Sequence, residues 1–113
     1  MTELSCHCGA VHIFVPTAPT EVTECNCSIC RRTGGRWAYY SPRTVRFEPS
    51  PPPTDTYIWG DKMLVLHRCK TCGVVTHWWP VDPALDRMGV NMRLADPEVL
   101  AAASVRHFDG ASM

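Results

Sequence analysis

The stretch ECNCSICRRTGG, which runs from Glu24 to Gly35, places three cysteines within six residues. A disulfide uses two thiols, and a closed structural zinc site usually has four protein ligands, so three thiols fit neither arrangement. The whole chain carries seven cysteines in 113 residues. The spacing of the other four cysteines therefore indicates which kind of site this stretch forms and which fold can contain it.

The composition is that of a soluble globular protein. Apolar residues make up 45% of the chain and charged residues 19%, which is atypical of a disordered segment. A length of 113 residues suits one modest core, so we expect a single domain over residues 1–113. Basic and acidic residues number 11 each, and this balance argues against a nucleic-acid-binding module.

The chain lacks the sequence features of export and of membrane insertion. No apolar run approaches the roughly 18 residues that a membrane span needs. The opening MTELSCHCG has neither the basic start nor the apolar segment of a secretory signal. We therefore expect a cytoplasmic protein that binds no membrane. Because disulfides are uncommon in the cytosol and an odd count leaves one thiol over, the seven cysteines favour metal binding.

Alternating and β-branched segments predict a chain of short strands. The proline-rich segment 48–53 is predicted to be a surface loop, and Asp-Pro pairs at residues 82 and 96 predict two short helical turns. The prediction is a mainly β fold of antiparallel strands, small enough to need a metal for stability. The predicted strands are residues 10–15, 37–41, 45–47, 57–59, 63–67, 74–78, 90–94 and 105–108.

Two cysteine pairs predict one closed metal site. Cys69 and Cys72 form a CxxCG knuckle, in which a tight turn lets two thiolates converge on one ion. Cys6 and Cys8 are alternate residues, which on a strand would point to the same face. The two pairs together give a four-thiolate zinc site that closes most of the chain into a loop, so we assign it a structural role.

Cys25, Cys27 and Cys30 then remain for a second site. Three protein ligands with one open position are typical of a catalytic or substrate-binding zinc. Two alternatives stay open: a closed structural site with a fourth ligand from elsewhere, and a disulfide that forms within the cluster when metal is lost. An aspartate or any of five histidines could in principle be that fourth ligand: His7, His12, His67, His77 and His107.

Five motifs in order, CHCGAV, CNCSICRRTGG, CKTCG, RMGVN and RHFDG, resemble those of the glutathione-dependent formaldehyde-activating enzyme family, which includes centromere protein V-like proteins. The resemblance covers nearly the whole chain. It implies a small, zinc-stabilised β-tent, with Cys6, Cys8, Cys69 and Cys72 as structural ligands and Cys25, Cys27 and Cys30 at a second zinc site. Two departures bear on the substrate: Asn26 stands where the family often has histidine, and the chain is shorter than the formaldehyde-activating members.

The resemblance also implies an activity, that of a carbon–sulfur lyase which forms S-hydroxymethylglutathione from glutathione and formaldehyde. A zinc held by three thiolates is a weak Lewis acid, but it suits a soft substrate thiol as fourth ligand. Arg31 and Arg32 could clamp glutathione carboxylates, and Gly34 and Gly35 could let the backbone approach the bound peptide closely. Alternatively, the arginines are solvated or screen the cluster, and the glycines only form a turn.

Two functions therefore compete at this point. One is a zinc-dependent enzyme acting on adducts of glutathione, or another small thiol, with formaldehyde or a related small aldehyde. The other is a non-catalytic two-zinc binding module with a redox-sensitive three-cysteine cluster. In both cases we expect a monomer or a homodimer.

Overall fold

The structure is a computed structural model that describes residues 1–112. Ten strands and two short α-helices account for most of this range, together with 3-10 turns at Pro42–Thr44, Met92–Leu94 and Gly110–Ser112. The helices are α1 (Cys30–Thr33) and α2 (Pro97–Ala101). The strands are β1 (Thr2–Ser5), β2 (His12–Val15), β3 (Glu21–Cys25), β4 (Trp37–Tyr40), β5 (Arg46–Glu48), β6 (Thr54–Tyr57), β7 (Leu64–Cys69), β8 (Val75–Pro80), β9 (Met88–Asn91) and β10 (Ser104–Phe108).

The strands form two sheets. The smaller sheet has the order β1-β2-β5, and the larger has the order β10-β3-β4-β9-β8-β7-β6. Each pair in the described range is antiparallel except β10 with β3, where Phe108 lies beside Cys25 in a parallel register. The predicted mainly β class with short helical turns is confirmed, and the parallel pair is a feature that the sequence did not predict.

Apolar side chains from both sheets share one core. In β2 the burial alternates, with Ile13 and Val15 inside, as expected for a strand with one covered face. All four residues of β9 are buried, because this strand lies in the middle of the larger sheet. Both sheets contribute to the core cluster, which includes Leu4, Val11, Ile13, Val15, Val22, Met88, Val90 and Met92.

The two predicted helical turns have different outcomes. Helix α2 follows Asp96, with Pro97 at its first position and Glu98 in its first turn, as predicted. The prediction at Asp82 was wrong, since this segment forms a turn and no helix. There the carboxylate of Asp82 accepts from the backbone N–H of Ala84 at 2.9 Å, as at a helix N-terminus, and the N–H of Leu85 donates to the carbonyl of Asp82 at 3.0 Å, but the chain leaves this conformation after one turn. None of the described helices has the length and apolarity to cross a bilayer.

The placement of Cys6 and Cys8 on a strand was also wrong. These two residues lie in the turn between β1 and β2, where the N–H of Gly9 donates to the carbonyl of Cys6 at 3.2 Å. Gly9 has φ 81°, a left-handed conformation that glycine adopts without strain. The turn, rather than the alternation of a strand, brings the two thiols to the same side.

Candidate functional site

Cys6, Cys8, Cys69 and Cys72, here called the four-thiol cluster, join the two sheets. Cys6 and Cys8 come from the turn that follows β1 in the small sheet, and Cys69 and Cys72 from the hairpin between β7 and β8 in the large sheet. The Sγ atoms of Cys6 and Cys8 are 3.7 Å apart, and those of Cys8 and Cys69 are 3.6 Å apart. Tetrahedral zinc with Zn–S bonds of about 2.3 Å would place its sulfurs roughly 3.8 Å apart. The cluster therefore fits a zinc ion.

Backbone N–H groups around the four-thiol cluster favour thiolates. The N–H of Val11 donates to the sulfur of Cys6 at 3.3 Å. Hydrogen bonds from the backbone of Val74 and Cys8 lower the pKa of Cys72 to about 6. Because metal binding requires deprotonated sulfur, these donors reduce the proton competition that a cation would meet.

Cys25, Cys27 and Cys30, here called the three-thiol cluster, meet at the end of β3. Cys25 is the last residue of that strand and Cys30 the first residue of α1, with Cys27 in the turn between them. Their sulfur atoms all lie within 4.8 Å of one another. Within residues 1–112, no histidine, aspartate or glutamate places a ligand atom in this group. All seven cysteines are free thiols. The cluster can hold a metal with three protein ligands.

The thiols of the three-thiol cluster differ in their affinity for a proton. Burial raises the pKa of Cys27, but hydrogen bonds from the backbone of Cys30 and Ile29 and from the neighbouring thiols outweigh it and lower that pKa. Burial and the adjacent Cys27 and Cys25 raise the pKa of Cys30. A divalent cation would offset the repulsion between these thiolates. Closely spaced thiols that repel one another when ionised are expected at a metal site.

The segment after β10 covers the three-thiol cluster closely. A Cβ atom added to Gly110 would lie 2.6 Å from the sulfur of Cys25 and 3.2 Å from Cβ of Cys27. Such distances are shorter than van der Waals contact, so a side chain at Gly110 would have to displace a candidate metal ligand. This requirement for glycine was not recognised in the sequence, where Gly110 was noted only as the last residue of the RHFDG motif.

Asn26 fastens that covering segment to the cluster. Its side-chain amide donates to Oδ1 of Asp109 at 3.0 Å, and its side-chain carbonyl accepts from the backbone N–H of Ala111 at 2.9 Å. Hydrogen bonds from Ser112 and Asn26 lower the pKa of Asp109. Asn26 therefore positions the chain around the cluster, and it is not among the candidate ligands.

Two cavities meet at the three-thiol cluster, and Cys25, Cys30 and Phe108 line both. The first, here called the polar cleft, has a volume of about 330 Å³. The second, here called the aromatic pocket, has a volume of about 200 Å³. The remaining lining residues of the polar cleft are Glu24, Asn26, Arg31, Gly34, His107 and Asp109. Those of the aromatic pocket are Cys27, Ile29, Thr33, Trp37, Tyr39, Trp59, Leu64, Leu66 and Trp78.

Comparison with known proteins identifies the family. The model of the family described as "Glutathione-dependent formaldehyde-activating enzyme" matches residues 1–108. The chain belongs to this family. Its fold is also similar to the crystal structure of a Rhodobacter sphaeroides protein, a structural genomics target, with a TM-score of 0.74 and 27% identity. That match covers 92% of this chain and 99% of the other. The resemblance carried by the sequence motifs is confirmed.

In this member of the formaldehyde-activating family, the two adjacent arginines face different surroundings. Arg31 lines the polar cleft. Arg32 instead lines a shallow depression beside Tyr57 and Trp59, and its guanidinium donates to the backbone carbonyl of Ser28 at 2.8 Å. Only Arg31 is therefore positioned to contact a molecule in the cleft.

The two predicted glycines also separate. Gly34 lines the polar cleft and ends α1 with φ 69°, and its carbonyl accepts from Nε of Arg93 at 2.6 Å. A Cβ atom on Gly35 would lie 2.6 Å from the indole ring of Trp37. Gly35 is thus required by packing against that ring, and it does not line the cleft.

Several residues that line the polar cleft were not assigned to it from the sequence. His107 was considered there only as one of five possible fourth ligands; it lies in β10 with Phe108 and lines the cleft, outside the group of ligand atoms. Glu24, in β3, forms an ion pair with Arg36 at 3.0 Å. Only the parallel pairing of β10 with β3 brings these segments together, and neither segment signals that pairing in its own sequence.

Proposed function

We propose that the protein is a carbon–sulfur lyase-type enzyme that makes and breaks adducts of glutathione with formaldehyde or a related small aldehyde. One observation carries this proposal: the three-thiol cluster lacks a fourth protein ligand within residues 1–112 and forms part of the wall of the polar cleft. A cleft of about 330 Å³ is within the range of small-molecule binding sites. A metal centre at such a place is accessible to a substrate.

The side chains of the polar cleft match the charges of a small acidic peptide. The guanidinium of Arg31 can bind a carboxylate of glutathione through paired hydrogen bonds. Glu24 and Asp109 line the same cleft, and their negative charges can attract the ammonium group of the ligand. A zinc ion held by the three-thiol cluster would favour a soft thiolate as an additional ligand and so stabilise the deprotonated substrate sulfur.

The reaction is an addition and its reversal. The thiol sulfur forms a bond to the carbonyl carbon, the π electrons move to the oxygen, and that oxygen takes up one proton as the thiol loses one. No oxidant or reductant is required. His107 lines the cleft, and an imidazole can act as a general acid and a general base. We assign His107 this transfer.

Glutathione binding provides the first test. We expect calorimetry on the zinc-loaded protein to show that Arg31→Ala weakens glutathione binding about tenfold, because a charge-assisted hydrogen bond is lost. The matched variant Arg32→Ala removes the same charge outside the cleft and should change the affinity less than about twofold. Equal losses in the two variants would contradict the placement of glutathione in the polar cleft. Unchanged affinity in Cys27→Ser would contradict a role for the three-thiol cluster.

Turnover requires a separate measurement, because thiols add to formaldehyde without a catalyst. Exchange NMR at equilibrium should show that catalytic amounts of the protein accelerate interconversion of glutathione and its hydroxymethyl adduct. Arg31→Ala should slow that exchange at subsaturating glutathione. Tight binding with no acceleration would contradict the enzymatic proposal and favour the binding module.

A further inference from the structure

The aromatic pocket is too large for formaldehyde. Formaldehyde has two heavy atoms, and a water molecule occupies about 30 Å³ in the liquid. An apolar cavity of about 150 Å³ is sufficient to bind benzene. The aromatic pocket measures about 200 Å³, so its size corresponds to a ring or a branched chain rather than to a hydrogen substituent.

The wall of this pocket is aromatic and aliphatic. Tyr39 in β4 and Trp78 in β8 lie on either side of β9. Their ring centroids are 6.1 Å apart and their ring planes are tilted by 56° to each other. Trp59 follows β6, and Leu64 and Leu66 come from β7. Such a surface stabilises an apolar group by removing it from water and offers an ionic group little compensation for lost hydration.

The position of the pocket links it to the proposed reaction. It shares Cys25, Cys30 and Phe108 with the polar cleft, so a molecule bound at the cluster sulfurs can extend into both cavities. The charged peptide part of an adduct is complementary to the polar cleft. An apolar group attached to the adduct carbon is complementary to the aromatic pocket. The two cavities thus correspond to the two halves of a glutathione–aldehyde adduct.

We propose that the aldehyde substrate carries an apolar substituent, aromatic or branched aliphatic, which occupies the aromatic pocket. This inference rests on the proposed function and specifies its substrate class. The chemistry is the addition described above: the glutathione sulfur bonds to the carbonyl carbon, the oxygen gains the proton that the thiol loses, and the substituent remains unchanged.

Stable thioethers of glutathione test the inference by binding alone. We would titrate the zinc-loaded full chain with glutathione, S-methylglutathione and S-benzylglutathione, following calorimetric heat and tryptophan fluorescence. The two thioethers share the peptide part and differ in the group that reaches the aromatic pocket. We expect S-benzylglutathione to bind at least about tenfold more tightly than S-methylglutathione, because its ring leaves water.

Two adjacent tryptophans in β8 provide a matched pair of variants. Trp78 lines the aromatic pocket, whereas Trp79 does not line it and is 36% exposed. Trp78→Ala should reduce the preference for the benzyl group to less than about threefold, and Trp79→Ala should preserve it. If Trp78→Ala does not fold, Trp59→Ala replaces a pocket residue that lies outside the strands, and it should also reduce the preference.

The three ligands separate failure of this inference from failure of the proposed function. If glutathione binds but the benzyl and methyl thioethers bind equally, the apolar substrate class is wrong and the proposed function survives. If none of the three binds, both proposals are wrong. A benzyl preference that persists unchanged in Trp78→Ala and Trp59→Ala would also overturn the inference, because the ring would then bind elsewhere.

Discussion

Gly110 is the residue on which the geometry of the three-thiol cluster depends most directly. Any side chain there would meet the sulfur of Cys25 at 2.6 Å, so we predict that Gly110→Ala displaces that ligand. In protein reconstituted with zinc, we expect mass spectrometry to find two ions per chain in the unaltered protein and closer to one in this variant. Ala111→Ser enlarges the exposed neighbouring residue and should retain both ions. Two retained ions in Gly110→Ala would show that the covering segment adjusts without disturbing the cluster.

His77 makes stability depend on pH. Its ring is buried, with centroid distances of 4.7 Å to the ring of Phe47 and 4.2 Å to that of His67. Burial, and to a smaller extent repulsion by His67, lowers the pKa of His77 to about 3. The unfolded histidine has a pKa of about 6.5. Between these two values the unfolded state binds more protons, so stability present at neutral pH is lost as the pH falls below about 6.5.

We therefore predict that His77→Phe, which retains an aromatic ring, makes the free energy of unfolding less dependent on pH. Urea unfolding between about pH 5.5 and 7.5 should give a shallower slope for this variant than for the unaltered protein. Parallel slopes for the variant and the unaltered protein would mean that His77 does not govern this pH dependence.

At the scale of single residues, the sequence allowed us to predict which cysteines group together but not which residues surround them. Thiolate ligands come in short spaced motifs, so cluster membership could be inferred from spacing alone, and the structure does bring both groups together. The contributions of Gly110 and Asn26 could not be inferred in this way. Both depend on contacts between segments more than 80 positions apart, as in the bond from Asn26 to Asp109.

Helix α1 is a short element that brings Cys30 and Arg31 to the wall of the polar cleft. It has four residues, and Gly34 ends it in a left-handed conformation with its N–H donating to the carbonyl of Cys30 at 3.0 Å. We predict that Gly34→Val lowers the free energy of unfolding by about 1–2 kcal/mol, because a β-branched residue is strained at this φ. Denaturant titration measures the change.

Gly34→Asn is the matched comparison, since asparagine tolerates the left-handed region better than valine does. It should lose less stability than Gly34→Val in the same titration. A similar loss in both variants would indicate that the packing of the cap matters rather than its backbone conformation.

The sequence predicted most of the strands but missed β1 and β3. The segments β2, β4, β7 and β8 were predicted within a few residues. The strand β1 reads TELS and has a single large apolar residue, so no alternation marks it. The strand β3, EVTEC, runs directly into the cysteine motif and was interpreted only as ligand sequence. The C-terminal end of β9 was predicted too far along the chain, because residues 92–94 form a 3-10 turn.

At the scale of the whole molecule, the four-thiol cluster connects the two sheets in addition to their shared apolar core. We predict that Cys72→Ser lowers the melting temperature by at least about 10 °C, since a structural zinc contributes folding free energy directly. Cys27→Ser removes a candidate ligand from the turn between β3 and α1, within the larger sheet's part of the chain, and should lower the melting temperature far less. Thermal unfolding followed by circular dichroism compares the two. Equal shifts would mean that the two clusters stabilise the fold alike.

The overall architecture could be predicted in class but not in arrangement. Composition, turn residues and motif spacing indicated a small mainly β fold held together by metal. The division into three-stranded and seven-stranded sheets, and the parallel contact of β10 with β3, follow from how distant strands pack around a common core. Local sequence carries little information on such pairings, because many registers would bury similar apolar surface.

The separation of the two halves of the four-thiol cluster along the chain has a consequence for synthesis. Cys8 and Cys69 are 61 positions apart, although their sulfurs lie 3.6 Å apart in the folded protein. At a translation rate of about 5–20 residues per second, the ribosome needs about 3 to 12 s to add the intervening residues. During that interval the thiols of Cys6 and Cys8 can meet those of the three-thiol cluster but not Cys69 and Cys72, their partners in the folded protein. The nascent chain is therefore most exposed to oxidants and competing metals before the β7–β8 hairpin emerges.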